Sequence, residues 1–338
     1  MNFKRNILMS AVAAMIALAA LSMSGAASAQ SLTGGGSTFI NPVMQTWIAN
    51  YQKASGVSIN YQAIGSGAGI NGLINKTLDF AGSDAPMKNE EITQAGSPVL
   101  HLPVVIGTVC VAYNIPGIGP GIHLSGPVLA DIYLGKVTNW SDPEITKLSP
   151  GTKFPNQPIY VTHRSDGSGT TFILTDYLSK VSDDFKSTVG AGKSVKWPLG
   201  LGGKGNEGVA GLIKAHPYSI GYIELAYAVQ NVIPYAAIQN TKGKFIYPSV
   251  ETGTAAADGA KIPNDFRVSI TNTPNAGGYP ITSFSWVIVY QNSNQGPALQ
   301  KFLTYILTTG QDANAALDYG TIPQGLRDRE IAKVNSIK

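Results

Sequence analysis

The chain has 338 residues, 24 basic and 20 acidic side chains, a formal net charge of +4 and one cysteine. Without Lys4 and Arg5 the basic count falls to 22 and the net charge to +2. This excludes a broad basic field for nucleic acid and a polybasic stripe for anionic lipid, so any anion site must be built from a few aimed donors. A lone cysteine excludes an internal disulfide, so stability rests on a core. Cys110, amid apolar neighbours, is expected to be buried and inert.

Lys4 and Arg5 open the chain, an apolar run spans Ile7 to Leu21, and Ala27-Ser28-Ala29 follows as a small-residue cleavage site. That is the layout of a secretory signal peptide over residues 1–29, cut after Ala29. The run is too short to span a bilayer comfortably, and no later stretch reaches the ~20 apolar residues a spanning helix needs. The remaining 309 or so residues suit two domains of ordinary size.

Asn41-Pro42 predicts a helix start with Asn as the cap, and Val43, Met44, Trp47, Ile48 and Tyr51 recur at helical spacing before Gly56. Val57–Ala63 alternates as a strand, and Gly65–Gly69 breaks it. A short helix through Lys76, a strand at Leu78–Ala81 and a helix around Asn89–Gln94 are expected next. Val99–Ile115 reads as one or two buried strands. Val128–Leu134 is helical, Pro158–Thr162 a strand, Thr170–Val181 a helix, Ile281–Tyr290 a strand and Pro297–Thr308 a helix. This alternation predicts α/β layers with largely parallel sheets, whose ligands bind beyond the carboxyl ends of strands.

The sharpest motif is Arg164-Ser165-Asp166-Gly167-Ser168-Gly169-Thr170, set between a strand and a helix. Helix N-terminal N–H groups attract anions. Ser168 and Thr170 add hydroxyls, Gly169 permits close backbone approach, and Arg164 brings a planar charged fork. Asp166 is near enough to orient Arg164. A plain capped turn, with Asp166 or Ser168 as the cap, explains most of these residue types but leaves the arginine unexplained. Serine-hydrolase and nucleotide-hydrolase readings fit poorly. The loop is neither G-x-S-x-G nor Gly-Asp-Ser-Gly, only four histidines could serve as a base, and the Gly203-Lys204 pair lacks its Ser or Thr. Three further segments end strands or start helices with polar, glycine-rich sequence: Thr33–Phe39, Ile64–Gly69 and Asp79–Pro86. Asp84 in the last could equally cap a helix ahead of Pro86.

Taken together, LTGGGSTF, YQAIGSGAG, DFAGSDAP, ADIYLGKVTNW, RSDGSGTTF, VKWPLGLGGKGNEGVAG, SIGYIELAYA and YPITSFSWVIVY span nearly the whole chain beyond the leader. The set resembles the periplasmic phosphate-binding protein of the bacterial high-affinity phosphate ABC importer, the PstS family. The resemblance implies a type II periplasmic-binding-protein fold, two α/β domains joined by crossing strands with the ligand cleft between them. It implies a first lobe from 30–103 and 279–338 and a second from 104–278. It assigns phosphate to Thr38, the Phe39 N–H, Ser66 and Asp84 on one side, and to Arg164, Ser168, Gly169 and Thr170 on the other, with Asp166 in support. It implies a monomer in the periplasm that serves inner-membrane permease subunits, with no catalytic residue, metal or cofactor. The chain departs from the family's habit at Gly34–Ser37, His163 and Ser165, and matches least over Gln239–Asp265.

Asp84 would choose among oxyanions. An ionised carboxylate only accepts hydrogen bonds, so it tolerates phosphate, which carries a proton, and repels sulfate, which at neutral pH carries none. The alternatives are a binding protein for another oxyanion, such as molybdate or arsenate, and an exported phosphatase using Ser168 or Asp84 as nucleophile.

Overall fold

The computed structural model describes residues 31–338. The expected leader and its cleavage site lie outside the described residues. The strands in chain order are β1 (Ser31–Gly36), β2 (Ser58–Ala63), β3 (Phe80–Ser83), β4 (Val99–Asn114), β5 (His123–Leu124), β6 (Tyr160–Arg164), β7 (Leu201–Gly203), β8 (Ser219–Glu224), β9 (Ala237–Gln239), β10 (Phe245–Ile246) and β11 (Thr282–Tyr290). Eight of them form one sheet in the order β2-β1-β3-β11-β4-β8-β6-β7, and β10-β9-β5 form a small second sheet. The architecture is the expected two-lobed α/β fold with crossing strands.

The sheet is less parallel than the alternation implied. The trio β2-β1-β3 is parallel, as is β8-β6-β7. Between them β11 and β4 run antiparallel to their neighbours. β4 is a single strand of 16 residues. Its first part, Val99–Thr108, pairs with β11 and its last, Val109–Asn114, with β8. A strand buried on both faces reads as a continuous apolar run, and period counting alone cannot show where its partner changes.

Pro103 in mid-strand has no N–H for the ladder. The register between β4 and β11 accordingly shifts at Ser285/Trp286 and skips Val104. The Val104 carbonyl instead accepts from Gln311 Nε2 at 2.9 Å. This bulge falls at Ser285, a residue that reaches the site.

Helices cover the sheet faces. The Asn41–Ser55 helix buries Val43, Met44, Trp47, Ile48 and Tyr51 and ends at Gly56, whose φ of 73° suits glycine. Its cap is Ile40 rather than the expected Asn41, which is the first helical residue ahead of Pro42. One large core runs from Trp47 and Phe302 through Tyr113 to Trp140 and Phe185. A second gathers Ile70, Ile106, Phe266, Ile270 and Trp286. Cys110 is buried, and desolvation raises its thiol pKa well above the ordinary value. No helix among the described residues is long and apolar enough to cross a membrane.

Candidate functional site

The site lies beyond the carboxyl ends of β1, β3 and β6, where parallel strands deliver their loops. From β1 the chain passes Gly36, where φ is 134° and a Cβ would sit 2.1 Å from the Gly82 carbonyl, then turns through Ser37, Thr38 and Phe39. The Thr38 carbonyl accepts from Tyr227 Oη at 2.7 Å and the Phe39 carbonyl from Tyr319 Oη at 2.6 Å. Among the described residues, the N–H groups of Thr38 and Phe39 meet no acceptor. Both residues are buried, where an unpaired donor costs about 1–3 kcal/mol.

Asp84 follows β3 and is 1% exposed. Its Oδ1 accepts from Ser37 at 2.6 Å and Ser285 at 2.8 Å, and its Oδ2 from Ser66 at 3.3 Å. It caps no helix: the next begins at Asn89, capped by Lys88. Burial pushes its pKa up to about 6, against the opposing pull of the Ser37 and Ser285 hydrogen bonds, the Arg164 charge and Ser66. Asp84 is therefore largely ionised at neutral pH and close to losing that charge.

On the facing side, Arg164 closes β6 with its side chain buried. Asp166 grips it two-handed, accepting from Nε at 2.7 Å and from Nη2 at 2.5 Å. Burial raises the Asp166 pKa, but the Arg164 bonds and charge and the Gly205 N–H outweigh it and hold the carboxyl below its ordinary range. Arg164 Nη1 reaches Thr170 Oγ1 at 3.2 Å. His163 points away, stacked on Trp197. Ser168 is the helix cap, accepting from the Thr171 N–H at 3.0 Å, as the capped-turn reading of this loop expected. Gly169 and Thr170 open that helix, and first-turn N–H groups have no partner within it.

The two sides meet. The Gly67 N–H donates to the Gly167 carbonyl at 2.8 Å, and a Cβ on Gly169 would lie 2.6 Å from both Asp84 Oδ2 and Ser66 Oγ. Thr38, Phe39, Ser66, Asp84, Arg164, Ser168, Gly169 and Thr170 thus occupy one buried junction. Four residues that lie within the quoted motifs but were given no role there share it. Ser37 and Ser285 hold Asp84. Glu224, buried at the end of β8, accepts from the Ala226 N–H at 2.8 Å and Tyr319 Oη at 3.1 Å. Asn206, the second residue of the Gly205–Ala215 helix, donates from Nδ2 to Thr38 Oγ1 at 2.9 Å and to Thr170 Oγ1 at 3.2 Å. Asn206 could have been found: Gly-Lys-Gly-Asn after β7 repeats the pattern of a glycine-rich strand end opening a helix.

The comparisons with known proteins bear on this geometry. A family model described as a PBP superfamily domain matches residues 22–309. The phosphate-binding protein PstS of Pasteurella multocida is 45% identical over 303 residues, covering 88% of this chain and 87% of that protein. The chain belongs to the PstS family of phosphate-binding proteins. The PstS protein of Haemophilus influenzae is likewise 45% identical, with 88% and 90% covered, and that of Methanocaldococcus jannaschii 39%, with 90% and 85% covered. Among solved structures, a high-affinity periplasmic phosphate-binding protein (PfluDING) bound with phosphate superposes with a TM-score of 0.73 at 19% identity, covering 90% of this chain and 93% of that one. A putative phosphate ABC transporter substrate-binding protein from Clostridium perfringens gives 0.65 at 20% identity, covering 87% and 100%. These structural likenesses carry the PBP fold of the PstS family.

Proposed function

We propose that this protein captures inorganic phosphate in the periplasm and delivers it to an ABC-type phosphate importer, as a binding protein and not an enzyme. The family and its named members carry the function. The observation that carries the site is the junction of buried donors, whose backbone N–H groups have no acceptor among the described residues, with one carboxylate acceptor. The Thr38 and Phe39 N–H groups and the Ser66 hydroxyl lie on one side, with the Arg164 fork and the Gly169 and Thr170 N–H groups on the other. Thr38 and Thr170 add hydroxyls, Ser168 shapes the helix start, and Asp166 holds the guanidinium. Asp84 accepts a hydrogen bond from the ligand's O–H, and an anion without a proton meets an unpaired negative charge.

Two lobes closing on the ligand account for the contacts across the junction. Their division is best drawn where β4 changes partner, between Thr108 and Val109, rather than at 103/104. Phe266 and Ile270 pack with Ile106 and Trp286, which supports assigning the segment after Val250 to the first lobe rather than the second. An N-terminal signal peptide cut after Ala29, a monomeric state and docking on inner-membrane permease subunits complete the proposal.

Calorimetric titration with phosphate tests this function, with turnover of a chromogenic phosphate ester as the companion assay. One tight site per chain and no turnover are expected. Turnover abolished in Ser168→Ala would overturn the reading in favour of a hydrolase.

A further inference from the structure

A hydroxyl beside an anion helps only if its hydrogen faces the anion. Rotating freely, it can as well present a lone pair or give its hydrogen to a neighbouring carbonyl. At Thr38 and Thr170 that freedom is removed. Thr38 Oγ1 accepts from the Asn206 N–H at 3.2 Å and from Asn206 Nδ2 at 2.9 Å. Thr170 Oγ1 accepts from Asn206 Nδ2 at 3.2 Å and from Arg164 Nη1 at 3.2 Å. Each oxygen has two lone pairs, and both are taken. Among the described residues neither hydroxyl donates to a protein group, although both side chains are buried.

The amide itself cannot turn over. Its Oδ1 accepts from the Glu224 N–H at 3.0 Å, so its two Nδ2 hydrogens must face the threonines. Asn206 is fully buried, and three of its four side-chain hydrogen-bonding positions, including both Nδ2 hydrogens, are used. It also spans the cleft, since Thr38 follows β1 and Thr170 follows β6. The Thr38 bonds therefore form only when the lobes meet.

We infer that Asn206 is a positioning residue for ligand capture, forcing the Thr38 and Thr170 hydroxyls to act as donors in the closed state. The inference rests on the proposed site. Asn206 need not touch the ligand: it fills the lone pairs, and the only capacity left to each hydroxyl is a hydrogen for an oxyanion. It also makes donor orientation depend on closure, so the open first lobe presents a free Thr38 hydroxyl and the closed protein a fixed one.

The test is a cycle of phosphate dissociation constants for the full chain, Asn206→Ala, Thr38→Val/Thr170→Val, and all three changes together. Asn206→Ala is expected to weaken binding about tenfold or more, the scale of hydrogen bonds to a charged group. In the valine background, where no hydroxyl remains to orient, adding Asn206→Ala should change the constant by less than about threefold. A purely structural role would weaken binding in both backgrounds alike, and that result overturns the inference. So does an Asn206→Ala constant within about threefold of the parent. Unchanged affinity in Thr38→Val/Thr170→Val would instead remove the site on which the inference stands. Asn206→Ser, small and polar but without the amide hydrogens, runs the same cycle if the alanine protein does not fold.

Discussion

Two buried charges face each other across the cleft, and the protein treats them oppositely. Arg164 is clamped by a carboxylate in a two-point grip, and Asp166 in turn is held by Arg164 and the Gly205 N–H. Among the described residues, the Asp84 carboxylate accepts hydrogen bonds only from neutral hydroxyls, of Ser37, Ser66 and Ser285, and burial raises its pKa to about 6. The arginine side is thus a fixed charge that any tetrahedral oxyanion can use. The aspartate side is a conditional charge, stable enough to repel at neutral pH and close enough to neutrality to tolerate a shared proton. In the proposed function, grip and choice are separated between the two sides of the cleft.

The largest effect expected from breaking this contrast is at the grip. Arg164→Ala removes the charged fork and strands Asp166 in partial burial, and phosphate affinity should fall about 10²–10³-fold by calorimetry. Arg164→Lys should recover little, because one ammonium cannot satisfy both Asp166 oxygens and reach Thr170.

Next comes the stability of Asp84. Moving its pKa from 3.8 to about 6 corresponds to about 2–3 kcal/mol of unfavourable ionisation in the native state. Its folded value lies above its unfolded one. Its contribution therefore favours the native state fully below about pH 4 and is lost as pH rises through about 6. Ligand-free Asp84→Asn should be about 1–3 kcal/mol more stable than the parent at pH 7 by chemical denaturation, with the difference closing near pH 4. Asp166, held below its ordinary range, has the reverse sign, and its contribution is lost as pH falls.

Lowering the pH should also blunt the choice without mutation. Below about 6 Asp84 gains a proton and becomes a donor, so sulfate binding should emerge in the wild-type protein while the Arg164 side is unchanged. Titrations with sulfate at pH 7.5 and pH 5 check this, both values being about 1–2 units from the transition.

The smallest effect is expected at the rim. Lys193 donates to both Glu91 oxygens, at 2.6 and 2.9 Å, across the cleft mouth. Partly exposed pairs contribute little, so Lys193→Gln should weaken phosphate binding about two- to fivefold at low salt and less at high salt.

Much of this contrast could be read from sequence, though unevenly. Helix and strand periods placed the Asn41–Ser55 helix, β2 and β11 within a few residues, because each has a clear apolar face or a buried run. The loop from Arg164 to Thr170 was legible because its parts are adjacent in the chain. The partners of Asp84 were not, since Ser37 lies 47 residues away and Ser285 lies 201. Asn206 meets Thr38 across 168 residues, a contact created only by the meeting of two lobes. The cap expected at Asn41 fell at Ile40, because Pro42 fits the second helical position as well as the first. Local chemistry reveals which residues can hold an anion. Asp166 was legible as the support of Arg164, but only the fold reveals that Ser37 and Ser285 hold Asp84 and that Asn206 meets Thr38.

The central claim is that Asp84 chooses and the arginine side merely holds. Titration of the wild-type protein and Asp84→Asn with phosphate and with sulfate at neutral pH tests it most directly. The account predicts tight phosphate and no measurable sulfate binding for the wild type, and measurable sulfate binding with weakened phosphate binding for Asp84→Asn. Equal affinity of the wild type for both anions, or unchanged sulfate exclusion in the variant, would contradict it.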